Sequence, residues 1–134
     1  FGAGGAGHFV KMVHNGIEYA IMQAIAECHG LLRNCAGLDA DATARQLTRW
    51  STDGPAAGFL LEITAEITST RDTETGGPLL PLVDDVAGQK GTGGWTVEAA
   101  LRYGVAATAI MEAVGARQTS GQITAREAMR AAAK

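Results

Sequence analysis

The chain has 134 residues and a formal net charge of -3. Its pI is about 5.5, and its basic residues are scattered, so it lacks the electrostatic footprint of a nucleic-acid binder. With 46% hydrophobic but only 5% aromatic residues, it can build the core of one ordinary domain, or of a piece of a larger protein, only from Ala, Leu, Ile, Val and Met. No stretch reaches eighteen uninterrupted apolar residues and no signal-peptide pattern occurs, so no membrane partner is expected. Cys28 and Cys35 have neither C-x-x-C spacing nor the density of a disulfide framework, which points to free thiols and a reducing, cytoplasmic setting.

The opening FGAGGAG (1–7) matches the G-x-G-x-x-G spacing of a dinucleotide cradle at Gly2, Gly4 and Gly7. That cradle needs a buried strand before the glycines, and only Phe1 precedes them here. A turned or flexible lead-in is the reading that remains. HFVKMVHNGIEYAIMQAIAECHGLLRN (8–34) has no proline and carries apolar residues on most faces, which predicts one long, largely buried helix. Gly16 lowers helix propensity by roughly 1 kcal/mol relative to Ala but would let another element approach closely.

LDADATARQLTRW (38–50) predicts a short amphipathic helix capped by Asp39 or Asp41, with Leu47 and Trp50 inward. In the next segment Pro55 suits a helical first turn, and Phe59, Leu60, Ile63 and Ile67 keep helical spacing despite β-branched neighbours. A polar break, RDTETGGP (71–78), leads into LLPLVDDVAGQ and the glycine-rich QKGTGGW (89–95). TVEAALRYG and AATAIMEAVGARQ predict two more helices, and Thr124 with Glu127 form a capping-box pair for the last, AREAMRAAAK. The expected fold class is all-α, with no repeat and no second domain.

Chemistry concentrates on the first helix. Lys11, Asn15 and Glu18 point at about 0°, 40° and 340° around its axis, with His14 beside them near 300°. Tyr19 flanks the other side. Such groups cost several kcal/mol if buried without partners, so they face a pocket, a ligand, one another, or simply solvent as an ordinary Lys–Glu pairing. His8 and His14 are six residues apart, off the spacing of a helical metal pair, and no metal is expected. GQKGTGG lacks the order of a phosphate-binding P-loop. Even so, Lys90, the Thr92 hydroxyl and the flanking glycines compose an anion site or a plain turn. Arg117 is a further cation or a surface arginine.

GAGHFVKMVHNGIEY (5–19), Trp50 with GFLLEITAEI (58–67), AGQKGTGGWTVEAAL (87–101) and EAVGAR (112–117) together resemble the decarboxylating 6-phosphogluconate dehydrogenase family over essentially the whole chain. The resemblance implies part of an all-helical C-terminal domain with a long central helix. Residues 1–7 would be a glycine-rich junction following a nucleotide-binding domain that this chain lacks, and residues 8–134 a partial substrate-binding domain, in a homodimer. It implies oxidation of 6-phospho-D-gluconate with NADP and decarboxylation to D-ribulose 5-phosphate, the chain alone being poorly active. Carried over, Lys11 is the general base that then polarises the ketone as an ammonium, and Glu18 the acid that protonates the enediol. His14 and Asn15 hold substrate hydroxyls and carboxylate in register, Asn15 nearest the nicotinamide, and Tyr19, Lys90, Thr92 and Arg117 form the phosphate set. The chain departs from the family pattern at Ala20 and Ile21, where Gly-Asp is usual, at Gly94 for Lys, and at Gly115 for Phe. A non-catalytic helical dimerisation or small-anion-binding module is the competing reading.

Overall fold

A computed structural model describes residues 2–133. Phe1 of the expected junction and Lys134 of the expected last helix lie outside the described residues. Six α-helices occur among the described residues: α1 Ala6–Gly30, α2 Ala40–Asp53, α3 Phe59–Ser69, α4 Thr92–Tyr103, α5 Thr108–Gly121 and α6 Ile123–Ala132. The only extended pairing among them is an isolated antiparallel bridge between Arg71 and Pro78. The all-α expectation holds. The chain divides into two compact units, residues 1–23 with 85–134 and residues 24–84. One boundary falls inside α1 and the other between two aspartates, so no Pro- or Gly-rich linker marks either.

The glycine-rich lead-in is a tight turn. Gly2 and Gly4 take φ of +95° and +62°, conformations that an L side chain resists, and the Phe9 N–H donates to the Gly5 carbonyl at 3.0 Å as the helix starts. At its far end α1 widens into a π-helical turn over Leu31–Cys35, where the Ala36 N–H reaches the Leu31 carbonyl at 3.0 Å. Arg33 closes this turn by donating to the Leu38 carbonyl at 2.8 Å.

In the unit of residues 24–84, Asp39 caps α2 by accepting from the Ala42 N–H at 2.7 Å, and Leu47 is fully buried. Leu47, Leu61 and Ala65 form the core, with Ile25, Leu32 and Trp50 packed around it. α3 is a helix despite its β-branched residues because its spaced apolar side chains Leu61 and Ala65 are buried in the core, and its threonine hydroxyls are satisfied within the helix. Thr64 and Thr68 donate back one turn to the carbonyls of Leu60 and Thr64, each at 2.7 Å. Pro55 is not in a helical first turn. α2 runs on to Asp53, and the Ala57 N–H bonds the Gly54 carbonyl at 3.0 Å, which sets Pro55 second in a four-residue reverse turn, where its fixed φ is equally welcome.

In the unit formed by residues 1–23 and 85–134, α4 starts at Thr92 behind Gly91, whose φ is +102°. It begins a turn earlier than TVEAALRYG suggests, so Thr92 and two glycines form its first turn. α4 ends at Gly104 (φ +65°), where the Val105 N–H bonds the Ala100 carbonyl at 2.9 Å. The expected Thr124–Glu127 capping box is absent. Gln122 both ends α5 and starts α6 and no side chain caps it, so Thr124 already lies inside the helix, beyond the cap position.

Candidate active site

The site residues all belong to the unit of residues 1–23 and 85–134. Gly16 and Gly93 explain how its helices come close. A Cβ on Gly16 would lie 2.7 Å from Thr96 Cγ2, and one on Gly93 would lie 2.7 Å from the Tyr19 ring and 3.0 Å from Val114 Cγ2. Gly16 and Tyr19 are one turn apart on α1, as are Gly93 and Thr96 on α4, so two glycine notches fix where these helices meet. The buried Thr96 hydroxyl joins them, lying 2.9 Å from the Met12 carbonyl and 2.8 Å from the Thr92 carbonyl, with one proton to share between them.

On α1, Lys11 Nζ is 3.3 Å from His14 Nδ1, and the same nitrogen is 3.5 Å from Glu18 Oε2. Lys11, His14 and Glu18 therefore form one connected polar row. Lys11 and His14 are exposed, and Asn15 and Glu18 are half-buried. An apolar groove of about 660 Å³ lies on the opposite side of α1, lined by Phe9, Val13 and Ile17 with residues of α4 and the following loop, and the polar row takes no part in it.

The phosphate candidates form a second group. The Arg117 guanidinium stacks on the Tyr19 ring, 3.7 Å from its centroid. Its Nη1 donates to the Gly88 carbonyl at 2.7 Å and its Nη2 lies 3.8 Å from Met22 Sδ. One arginine on α5 thus joins α1 to the glycine loop. Lys90 is exposed, and no side chain caps the α4 N-terminus beside it. The first-turn N–H groups there, with the positive end of the helix dipole, are suited to an anion.

Sequence reasoning did not single out Asp85, Ser120 or Arg126. Arg126 pairs with the Asp85 carboxylate and donates to the Ser120 carbonyl at 2.6 Å, while the Ala87 N–H donates to Ser120 Oγ at 2.9 Å. The only visible signal was the i, i+4 spacing of Arg126 and Arg130, because nothing in the sequence says which acid they would meet. Among the described residues no three His, Cys, Asp or Glu side chains gather as a metal site, Cys28 and Cys35 are exposed free thiols, and no helix is long and apolar enough to cross a membrane.

Residues 7–134 match the family model described as 6-phosphogluconate dehydrogenase, C-terminal domain. The chain belongs to the 6-phosphogluconate dehydrogenase family. It is 52% identical over 128 residues to the decarboxylating 6-phosphogluconate dehydrogenase of Synechococcus elongatus, which covers 95% of this chain and 27% of that relative. It is 49% identical over 116 residues to the NADP(+)-dependent, decarboxylating 6-phosphogluconate dehydrogenase of Bacillus subtilis, covering 87% of this chain and 24% of that one. Among solved structures, Plasmodium falciparum 6-phosphogluconate dehydrogenase, described in apo form, with its cofactor NADP+ and with its substrate 6-phosphogluconate, superposes with a TM-score of 0.91. Identity there is 35%, covering 97% of this chain and 28% of that one. The chain therefore spans about a quarter of the length of the 6-phosphogluconate dehydrogenases it matches.

Proposed function

We propose that this chain supplies the substrate-holding and acid–base wall of a decarboxylating 6-phosphogluconate dehydrogenase, a homodimer that converts 6-phospho-D-gluconate to D-ribulose 5-phosphate. The observation that carries the proposal is the contact set at Arg117. It stacks on Tyr19, one residue from Glu18, and holds Gly88, two residues from Lys90. The end of the polar row and the cationic loop are thereby tied to one guanidinium.

NADP, which accepts the hydride in the proposed reaction, has no cradle among the described residues. Gly2 and Gly4 sit in a turn that runs straight into α1, and the reading assigns the dinucleotide to the nucleotide-binding part of the enzyme. Within the chain, Lys11 as a free amine accepts the C3 hydroxyl proton, and as the resulting ammonium it stabilises negative charge on the C3 oxygen while carbon dioxide leaves. Glu18 then delivers a proton to C1 of the enediol, numbered as in the five-carbon product. His14 stands between the two and relays or orients, and Asn15 holds substrate hydroxyls. Lys90, Thr92, Tyr19 and Arg117 surround the phosphate, with the uncapped α4 N-terminus contributing N–H donors.

Calorimetric titration with 6-phosphogluconate, in an assembly that also holds the nucleotide-binding part, tests this reading. Lys90→Ala is expected to weaken binding by roughly 1–3 kcal/mol, the range for deleting a charge-assisted partner. Equal affinity of the two proteins would remove Lys90 from the site. Binding with no NADPH formation would leave only the anion-binding module.

A further inference from the structure

Lys90 lies in a segment without regular structure, yet the chain on either side of it is fastened. Upstream, residues 85–88 form a strap held at three points. The Asp85 carboxylate pairs with Arg126 and lies 3.1 Å from Arg130 Nη2. The Ala87 N–H donates to Ser120 Oγ at 2.9 Å, and the Gly88 carbonyl accepts from Arg117 at 2.7 Å. Downstream, Thr92 opens α4 and Gly93 is pressed against Tyr19 and Val114. Only Gln89, Lys90 and Gly91 span the gap, and three residues reach at most about 10 Å. The position of the Lys90 backbone is consequently set by the two ends.

The upstream anchors are themselves oriented. Ser120 Oγ donates its proton to the Arg117 carbonyl at 2.7 Å, which turns its lone pairs toward the Ala87 N–H. The Arg126 side chain is only 19% exposed, and it spends its donors on the Asp85 carboxylate, the Ser120 carbonyl at 2.6 Å and the Asp85 carbonyl at 3.4 Å. The end of α5 and the start of α6 are thus joined to the strap through one half-buried fork of N–H groups. Neither residue reaches the α4 N-terminus directly.

We infer that Ser120 and Arg126 are positioning residues for phosphate recognition, acting through the 85–88 strap to hold Lys90 at the α4 N-terminus. This inference rests on the reading that this loop takes the substrate phosphate. It adds a requirement of its own, because the same cationic loop left unfastened is a poor site: each freed residue must be re-ordered when the anion binds, at about 1–2 kcal/mol of backbone entropy.

The test is an NMR titration, in the same assembly with the nucleotide-binding part, with 6-phosphogluconate and, in parallel, with gluconate. It follows the amides of residues 91–94 and the indole N–H of Trp95, whose ring lies against Gly91. Wild type should show saturable shifts with the phosphorylated ligand. Ser120→Ala and Arg126→Gln should each weaken that binding about five- to tenfold, as expected when an ordered span is released. Gluconate affinity should stay unchanged. Ser120→Thr, which keeps the hydroxyl, should recover most of the loss, whereas Arg126→Lys, which keeps the charge but not the forked donors, should recover little of it, separating positioning from general damage to the helices. If Lys90→Ala weakens binding while Ser120→Ala and Arg126→Gln bind as wild type, the positioning role is overturned and the phosphate reading stands. Equal loss in Ser120→Thr and Ser120→Ala would also overturn it. Absence of any shift at residues 91–94 in wild type would remove both.

Discussion

His14 Nδ1 cannot accept from the Lys11 ammonium and donate to the Glu18 carboxylate at the same time. As a neutral ring with its proton on Nε2, it accepts from the Lys11 ammonium at 3.3 Å; as the Nδ1–H tautomer or the imidazolium it presents Nδ1–H to the Glu18 carboxylate at 3.5 Å. Under the proposed roles a proton gained by Lys11 has His14 beside it on the way to Glu18, and the two end residues should fail differently when replaced. In an assembly with the nucleotide-binding part, Lys11→Met should abolish oxidation of 6-phosphogluconate and also decarboxylation of synthetic 3-keto-6-phosphogluconate, since both base and ammonium are lost. Glu18→Gln should slow turnover by about 10²–10⁴-fold, the usual contribution of a general acid, chiefly at reprotonation. Product analysis and NADPH formation read both, and normal decarboxylation by Lys11→Met would refute the double role. A different histidine gives the pH prediction. Burial and then the nearby charge of Arg33 hold His29 below its ordinary 6.5, so the folded state favours its neutral ring. The stabilisation is complete above pH 6.5 and is lost as pH falls through the lowered value. His29→Gln should flatten the fall in thermal midpoint between pH 7.5 and 5, and an unchanged slope would exclude His29 as a cause.

The α1–α4 contact depends on helices that tolerate glycine where a methyl would collide. Gly16→Ala brings a Cβ within 2.8 Å of three Thr96 atoms, and overpacking of this kind costs about 1–3 kcal/mol. The gain in helix propensity returns roughly 1, so the variant should be less stable by about 0–2 kcal/mol. Gly115→Ala, in the middle of α5 with nothing within 4 Å of the added Cβ, should instead gain about 0.5–1 kcal/mol. Urea midpoints of opposite sign would establish that space rather than propensity decides at Gly16. Elements of this kind were readable because apolar spacing is local. The long first helix, the Asp39 cap (one of two offered), buried Leu47 and the close approach at Gly16 all followed from residues within one or two turns, whereas the expected burial of that helix did not hold, Gly16 being its only buried position among the described residues. Pro55 and Thr124 were misread for the same reason, since a proline fits a reverse turn as well as a helical start, and a capping box works only if the preceding helix has already ended. The polar row was legible from periodicity and its roles came from the family resemblance. The strap was not legible, because Ala87 meets Ser120 across 33 residues and Asp85 meets Arg126 across 41, and no spacing rule joins them.

At the scale of the whole chain, composition foretold a core of small side chains, and Ala44, Ala65, Ala100 and Ala113 are indeed among its buried residues. Composition could not foretell which apolar side chains stay outside. Phe9, Ile17, Tyr103 and Val105 are 45%, 49%, 66% and 60% exposed, and all four line the groove of about 660 Å³ on the side of α1 away from the polar row. Phe9 and Tyr103 meet edge to face with ring centroids 6.5 Å apart, so part of this surface is ordered rather than collapsed. A contiguous exposed apolar surface of this kind attracts apolar solutes. The chain should therefore enhance the fluorescence of an anilinonaphthalene dye under fully native conditions. Val105→Ser is the sharpest variant for attributing that signal, because Val105 follows the Gly104 cap and its N–H bond to the Ala100 carbonyl survives the change. With most of its side chain already in water, the substitution should leave the thermal midpoint within about 1 °C, in keeping with the small effect of surface replacements. It should also reduce dye binding measurably. Trp50→Phe, in the core of the other unit, should do the reverse, lowering the midpoint with no loss of dye binding to the native state. Full dye fluorescence in Val105→Ser would show that the bound dye sits elsewhere than this groove.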